Sequence, residues 1–171
     1  MRKILDTISI ALLALQFLVT VRVLYGPNHF ADRFPTHFDV VGHPDHWGTT
    51  SSLPVLPFLA FVLYIFITIV AAFSSMAKFP GNVTEENRPR LEELTLGLIS
   101  WIKAELVAMF ACLQMTLIEA GWHPDRESSE LGVWLLLAAI LVTTAWYIAA
   151  MVRATRANDA PLDSGGVSDN S

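Results

Sequence analysis

Charge and cysteine are what this sequence has least of. Only 16% of its 171 residues are Asp, Glu, Lys or Arg, against roughly 25% in a soluble globular domain, so an ordinary water-facing surface cannot be built from it. One cysteine, Cys112, lies within an apolar run and excludes a disulfide framework. Lys and Arg number 11 against 16 Asp and Glu, for a net charge of -5, with no basic cluster. That excludes nucleic acid as a partner. H-E-x-x-H, G-x-S-x-G, a P-loop and C-x-x-C are all missing, and no catalytic motif argues for an enzyme.

What is present is apolar length. Residues of apolar type make up 53% of the chain and the mean hydropathy is +0.48. Four stretches, about 4–25, 53–76, 91–121 and 131–152, reach the roughly 20 helical residues that cross about 30 Å of hydrocarbon. They predict an all-α integral membrane protein with four transmembrane helices and an ordered outward loop between the first and second. No small-x-small site follows the first run, which reads as a span rather than a cleaved signal.

Orientation follows from Lys and Arg outside the spans. Seven (Arg2, Lys3, Lys78, Arg88, Arg90, Arg153, Arg156) fall at the N-terminus, in the 77–90 loop and in the tail, and two (Arg33, Arg126) fall in the other loops. Both termini are expected in the cytoplasm, with the bilayer itself as first partner. Three parts are expected: a helix–loop–helix unit over 1–76, a second helical hairpin over 77–155, and a disordered tail over 156–171, whose composition buries too little apolar surface to fold. All five histidines fall on the outward side.

The first outward loop carries the local signals. Pro35 pushes Phe34 toward extended backbone and Thr36-His37-Phe38 alternates, predicting a short extended segment. Gly42-His43-Pro44-Asp45-His46-Trp47-Gly48 predicts a turn. Tyr25, then Pro35-Thr36-His37-Phe38, then Gly42-x-Pro44-Asp45-x-Trp47, then Pro57 in the next span, resembles the short N-terminal module, a domain of unknown function, of the bacterial SdpI-like immunity and signalling proteins. The resemblance covers roughly residues 5–70 and implies a bacterial integral membrane protein. Toxin protection and signal relay belong to longer members with a second membrane domain. The lysine that the family commonly places after the loop motif is replaced here by Thr50-Ser51-Ser52.

Three readings of the loop stand open. His37, His43, His46 and Asp45 are donors of the kind that zinc or copper accepts. Alternatively, the imidazoles are wet loop residues, with His37 hydrogen-bonded to hold the loop, or they sense outside pH near 6.5. Within the third span Lys103, Glu105 and Gln114 are functional candidates, because ionisable groups in hydrocarbon need partners. Lys103 and Glu105 lie about 200° apart on a helix, so each needs a partner on another helix, with Gln16 as a polar neighbour. A span of this length also lets its first turns project inward, with Lys103 at the headgroups. Arg22 and Glu119 are candidates for an interfacial ion pair.

The expected role is noncatalytic sensing, binding or an immunity-type accessory function through the loop, with a membrane protein or an extracellular peptide as partner. The alternatives are a small homodimeric transporter using Lys103 and Glu105, and metal binding at the histidine loop.

Overall fold

The computed structural model describes residues 1–26, 33–39, 44–73, 79, 83–123 and 131–156. Helix α1 spans Arg2–Tyr25, strands β1 (Arg33–Phe38) and β2 (Pro44–Thr49) follow, and a single 3-10 turn at Thr50–Ser52 leads into α2 (Val55–Ala72), α3 (Arg88–Trp122) and α4 (Leu131–Arg156). Among the described residues, four helices are long and apolar enough to cross a membrane. The apolar runs predict their limits to within a few residues, except that α4 continues through Arg153 to Arg156. The tail beyond Arg156 lies outside the described residues, as do Gly42 and His43.

Helices α1, α2 and α4 turn most of their large apolar side chains outward. On α1, Leu5, Ser9, Leu13, Gln16, Thr20 and Val23 are buried, a stripe at steps of three and four residues. Ile8, Ile10, Leu15, Leu18 and Val21 are exposed around it, as are Phe58, Phe61 and Phe66 on α2 and Leu135, Leu141 and Val142 on α4. The inner face is the more polar one, the reverse of a water-soluble bundle. Ser9 and Thr20 donate their hydroxyls to carbonyls one turn back, at 2.8 and 2.9 Å, so they bring no unsatisfied group inside.

Helix α3 packs against α1, α2 and α4. It runs parallel to α1, because Asp6, Leu13, Thr20 and Val23 meet Lys103, Val107, Gln114 and Ile118 in the same order. It runs antiparallel to α2, where Thr68 meets Lys103 and Leu53 meets Ile118. It is antiparallel to α4 as well, where Gly132, Thr143 and Tyr147 meet Cys112, Glu105 and Gly97. The pairing of Lys103 with Asp6 leaves about ten residues of α3, Arg88 to Gly97, extending roughly 15 Å past the start of α1. Tyr147 and Met151 of α4 pack on Leu91 and Leu94 of that extension. At its other end α4 begins level with Cys112, so the last turns of α3 have no α4 beside them.

Contact between α3 and α4 depends on missing side chains. A Cβ on Gly97 would lie 2.8 Å from the Tyr147 hydroxyl and 2.9 Å from its ring, and one on Gly132 would lie 2.6 Å from the Cys112 sulfur. Small residues at such crossings let helix backbones approach. Replacing Gly97 by leucine is expected to destabilise the protein by about 1–3 kcal/mol through overpacking against Tyr147. Thermal unfolding in detergent measures this; an unchanged midpoint would show that the crossing is looser than its distances imply.

Candidate functional site

The segment between α1 and α2 is an antiparallel hairpin with two irregularities. Its register pairs Arg33 with Thr49, Phe34 with Gly48, Pro35 with Trp47, His37 with His46, and Phe38 with Pro44. Between the third and fourth of these pairs β1 has an additional residue, Thr36, and between the last two β2 has one, Asp45. These are compensating bulges on either side of the His37–His46 pair. The turn expected over 42–48 is therefore corrected: Pro44 to Thr49 form a strand. Pro44 lacks the N–H that a ladder needs, and a strand's first position next to a bulge accommodates that.

The bulges decide which side chains meet. In a regular strand Asp45 and His46, as neighbours, would point to opposite faces. With Asp45 bulged, its Oδ1 accepts a hydrogen bond from His37 Nδ1 at 2.6 Å and lies 3.7 Å from His46 Nδ1. The two imidazoles stand edge-on, with centroids 6.0 Å apart. One donor atom from each of the three residues lies within 4.8 Å of the others, and all three are exposed. The hydrogen bond from His37 is the main reason the Asp45 carboxyl sits below its ordinary value of 3.8; desolvation opposes it, and the charges of His37 and His46 add to it.

Other motif residues hold this geometry. Thr36 folds over Gly48, where a Cβ would come within 2.6 Å of its methyl group, and its hydroxyl reaches the His46 carbonyl at 3.4 Å. Pro35 is fully buried, β1 lies against α3, and Trp47 is exposed. Hydrogen bonds from Ser52 to the Thr49 carbonyl (2.7 Å) and between the Thr49 and Ser51 hydroxyls (2.6 Å) fasten the hairpin to α2, below which Leu53 is buried. Phe38 and Pro44 take part in the register.

A cavity of about 390 Å3 opens beneath the hairpin, where α4 stops short. Thr36 and His37 stand at its mouth; Leu56 of α2, Leu113 and Leu117 of α3, and Val133, Trp134 and Leu137 of α4 form its walls. An exposed polar cluster thus borders an apolar groove. No single signal in the sequence marks this groove, since it depends on the offset between α3 and α4.

The intrahelical candidates lie elsewhere. Lys103 is buried, with Nζ 2.5 Å from Asp6 Oδ1, an oblique ion pair rather than an aligned hydrogen bond. It also donates to the Thr68 hydroxyl at 3.3 Å and sits 4.6 Å from the centre of the Tyr64 ring. Glu105 faces α4, where its Oε1 accepts from Thr143 at 2.7 Å while Oε2 has no hydrogen-bond partner. Gln114 donates to the Gln16 carbonyl at 3.0 Å and to the Thr20 hydroxyl at 2.8 Å. Lys103 and Glu105 thus find partners on different helices, as their angular separation requires. Asp6 lies near the start of the first apolar run and is not among the sequence candidates; its distance of 97 positions from Lys103 hides the pairing. Arg22 and Glu119 form no ion pair, because the Arg22 guanidinium folds over Gly26 at the end of its own helix, where a cation complements the helix dipole.

Because its folded value is depressed, the Asp45 carboxylate contributes stability to the hairpin that is complete above pH 3.8 and is lost as pH falls through the lower folded value. Replacing His37 by alanine is expected to return the carboxyl toward 3.8, read by carbon NMR of the labelled side chain. An unmoved titration would mean that His37 does not set it.

No protein-family model matches this chain, and neither the curated proteins nor the solved structures compared with it include one that is similar.

Proposed function

We propose that this chain is an integral membrane protein of the bacterial cytoplasmic membrane, with both termini inside, and that it binds an amphipathic molecule at the outer face without transforming it. Membrane insertion is supported by the length and hydropathy of the four helices and by the apolar outer faces of α1, α2 and α4, because lipid-exposed surface needs apolar side chains. Orientation is supported by the bias of seven basic residues to two. A kinship with SdpI-like proteins is supported by the loop residues, and a noncatalytic accessory role agrees with it.

The observation that carries the reading is the placing of His37 and Thr36 at the mouth of an apolar groove between α2, α3 and α4. A molecule with a polar head and a single apolar tail matches both parts, with the head at the hairpin and the tail against Leu113 and Trp134. On this reading Lys103, Glu105 and Gln114 tie helices together and do not line a transport path.

Two measurements test it. A cysteine introduced at Thr49 on a Cys112→Ser background is expected to react with a membrane-impermeant maleimide in intact cells, and one at Arg156 only after permeabilisation; the reverse pattern overturns the orientation. In native mass spectrometry, a single-chain lysophospholipid is expected to form one adduct with the wild type, and Leu113→Trp, which fills the groove, is expected to lose it. Equal occupancy in both proteins overturns the groove as the binding site.

A further inference from the structure

We infer that the doubly bulged hairpin is a binding site for one divalent transition-metal ion, of the zinc or copper class, held by His37, Asp45 and His46. The inference rests on the reading of the hairpin as the outward binding element and names a ligand for its polar half. It stands on register and geometry. Two residues from opposite strands, His37 and His46, already form a cross-strand pair, and the additional residue on β2 is the one that adds a carboxylate to them. Bulges re-aim side chains at functional sites. Without this one, Asp45 would face away from His46.

The donors suit the ion. Two imidazoles and a carboxylate form an N2O set that zinc and copper accept, leaving further positions for water or a ligand's head group. A tetrahedral ion with bonds of about 2.0–2.1 Å holds its donors about 3.3 Å apart. Two of the three pairs, 2.6 Å from His37 to Asp45 and 3.7 Å from His46 to Asp45, lie on either side of that separation, and all three donors lie within 4.8 Å of one another. Coordination would replace the proton now shared between His37 and Asp45. Small rotations of three exposed side chains suffice, because the backbone already brings them together. Pro35, buried beneath, and Thr36, packed on Gly48, anchor the β1 side of the site.

The test uses the full chain without an affinity tag, stripped with a chelator and reconstituted in nanodiscs. Titration calorimetry with zinc is expected to show one equivalent bound. His46→Ala is expected to weaken binding by at least the about 10–100-fold that loss of an outer-shell partner costs. Electron paramagnetic resonance with copper supplies a second readout that does not depend on affinity: coupling to two imidazole nitrogens in the wild type, and to one in His37→Ala and in His46→Ala. Absence of zinc binding by the wild type, or an unchanged nitrogen count in both variants, overturns the site. Leu113→Trp is expected to bind zinc as the wild type does. If zinc fails while Leu113→Trp still abolishes the lysophospholipid adduct, the outward binding reading survives without its metal; if both fail, that reading falls too.

Discussion

The three buried polar side chains of α3, Lys103, Glu105 and Gln114, are the constraint on which the rest of the arrangement depends. Helices that are apolar on their outer faces gain little from choosing one another over lipid, so their polar groups decide which surfaces meet. Lys103 draws in α1 through Asp6 and α2 through Thr68 and Tyr64, Glu105 draws in α4 through Thr143, and Gln114 engages α1 again through Gln16 and Thr20. Three side chains on one helix thus specify three neighbours, and the small apolar clusters around Val107, Ile118 and Leu94 fill the space between.

The same contacts position the candidate site. Glu105 and Gly97 place α4 along the first two thirds of α3, and Val133, Trp134 and Leu137 near its start line the groove under the hairpin together with Leu113 and Leu117. A contact deep in the bundle therefore sets the dimensions of an opening near its surface. The hairpin borders that opening because β1 rests on α3 and because the Thr49–Ser52 turn hands the chain directly to α2.

Much of the fold could be read from residue order alone. Charged residues bracket the four apolar runs, and the 200° between Lys103 and Glu105 required separate partners, which Asp6 and Thr143 supply. What could not be read was relative height. The offset of α4 against α3 is set by where Gly97 admits Tyr147 and Gly132 admits Cys112, and no local pattern announces either pairing. In the loop, the alternation around Thr36-His37-Phe38 pointed to extended backbone, and β1 follows it. Gly42 to Gly48 reads as a turn because glycine, proline and aspartate cluster there, yet Pro44 begins a strand and Asp45 is spare to the ladder. Bulges are decided by pairing across strands, which composition does not record.

The two bulges have an arithmetic of their own. Each strand carries one residue more than the ladder uses, so the surplus cancels and the pairs at both ends stay in step. Removing Thr36 or Asp45 alone would shift one strand by a single position and turn its side chains over. Removing both would leave a plain, shorter ladder with His37 still opposite His46. A hairpin of this kind could therefore be built without either residue, and would be simpler to fold. Of the two surplus residues, Asp45 adds the meeting of a carboxylate with two imidazoles, and Thr36 adds the packing over Gly48 that holds the opposite strand.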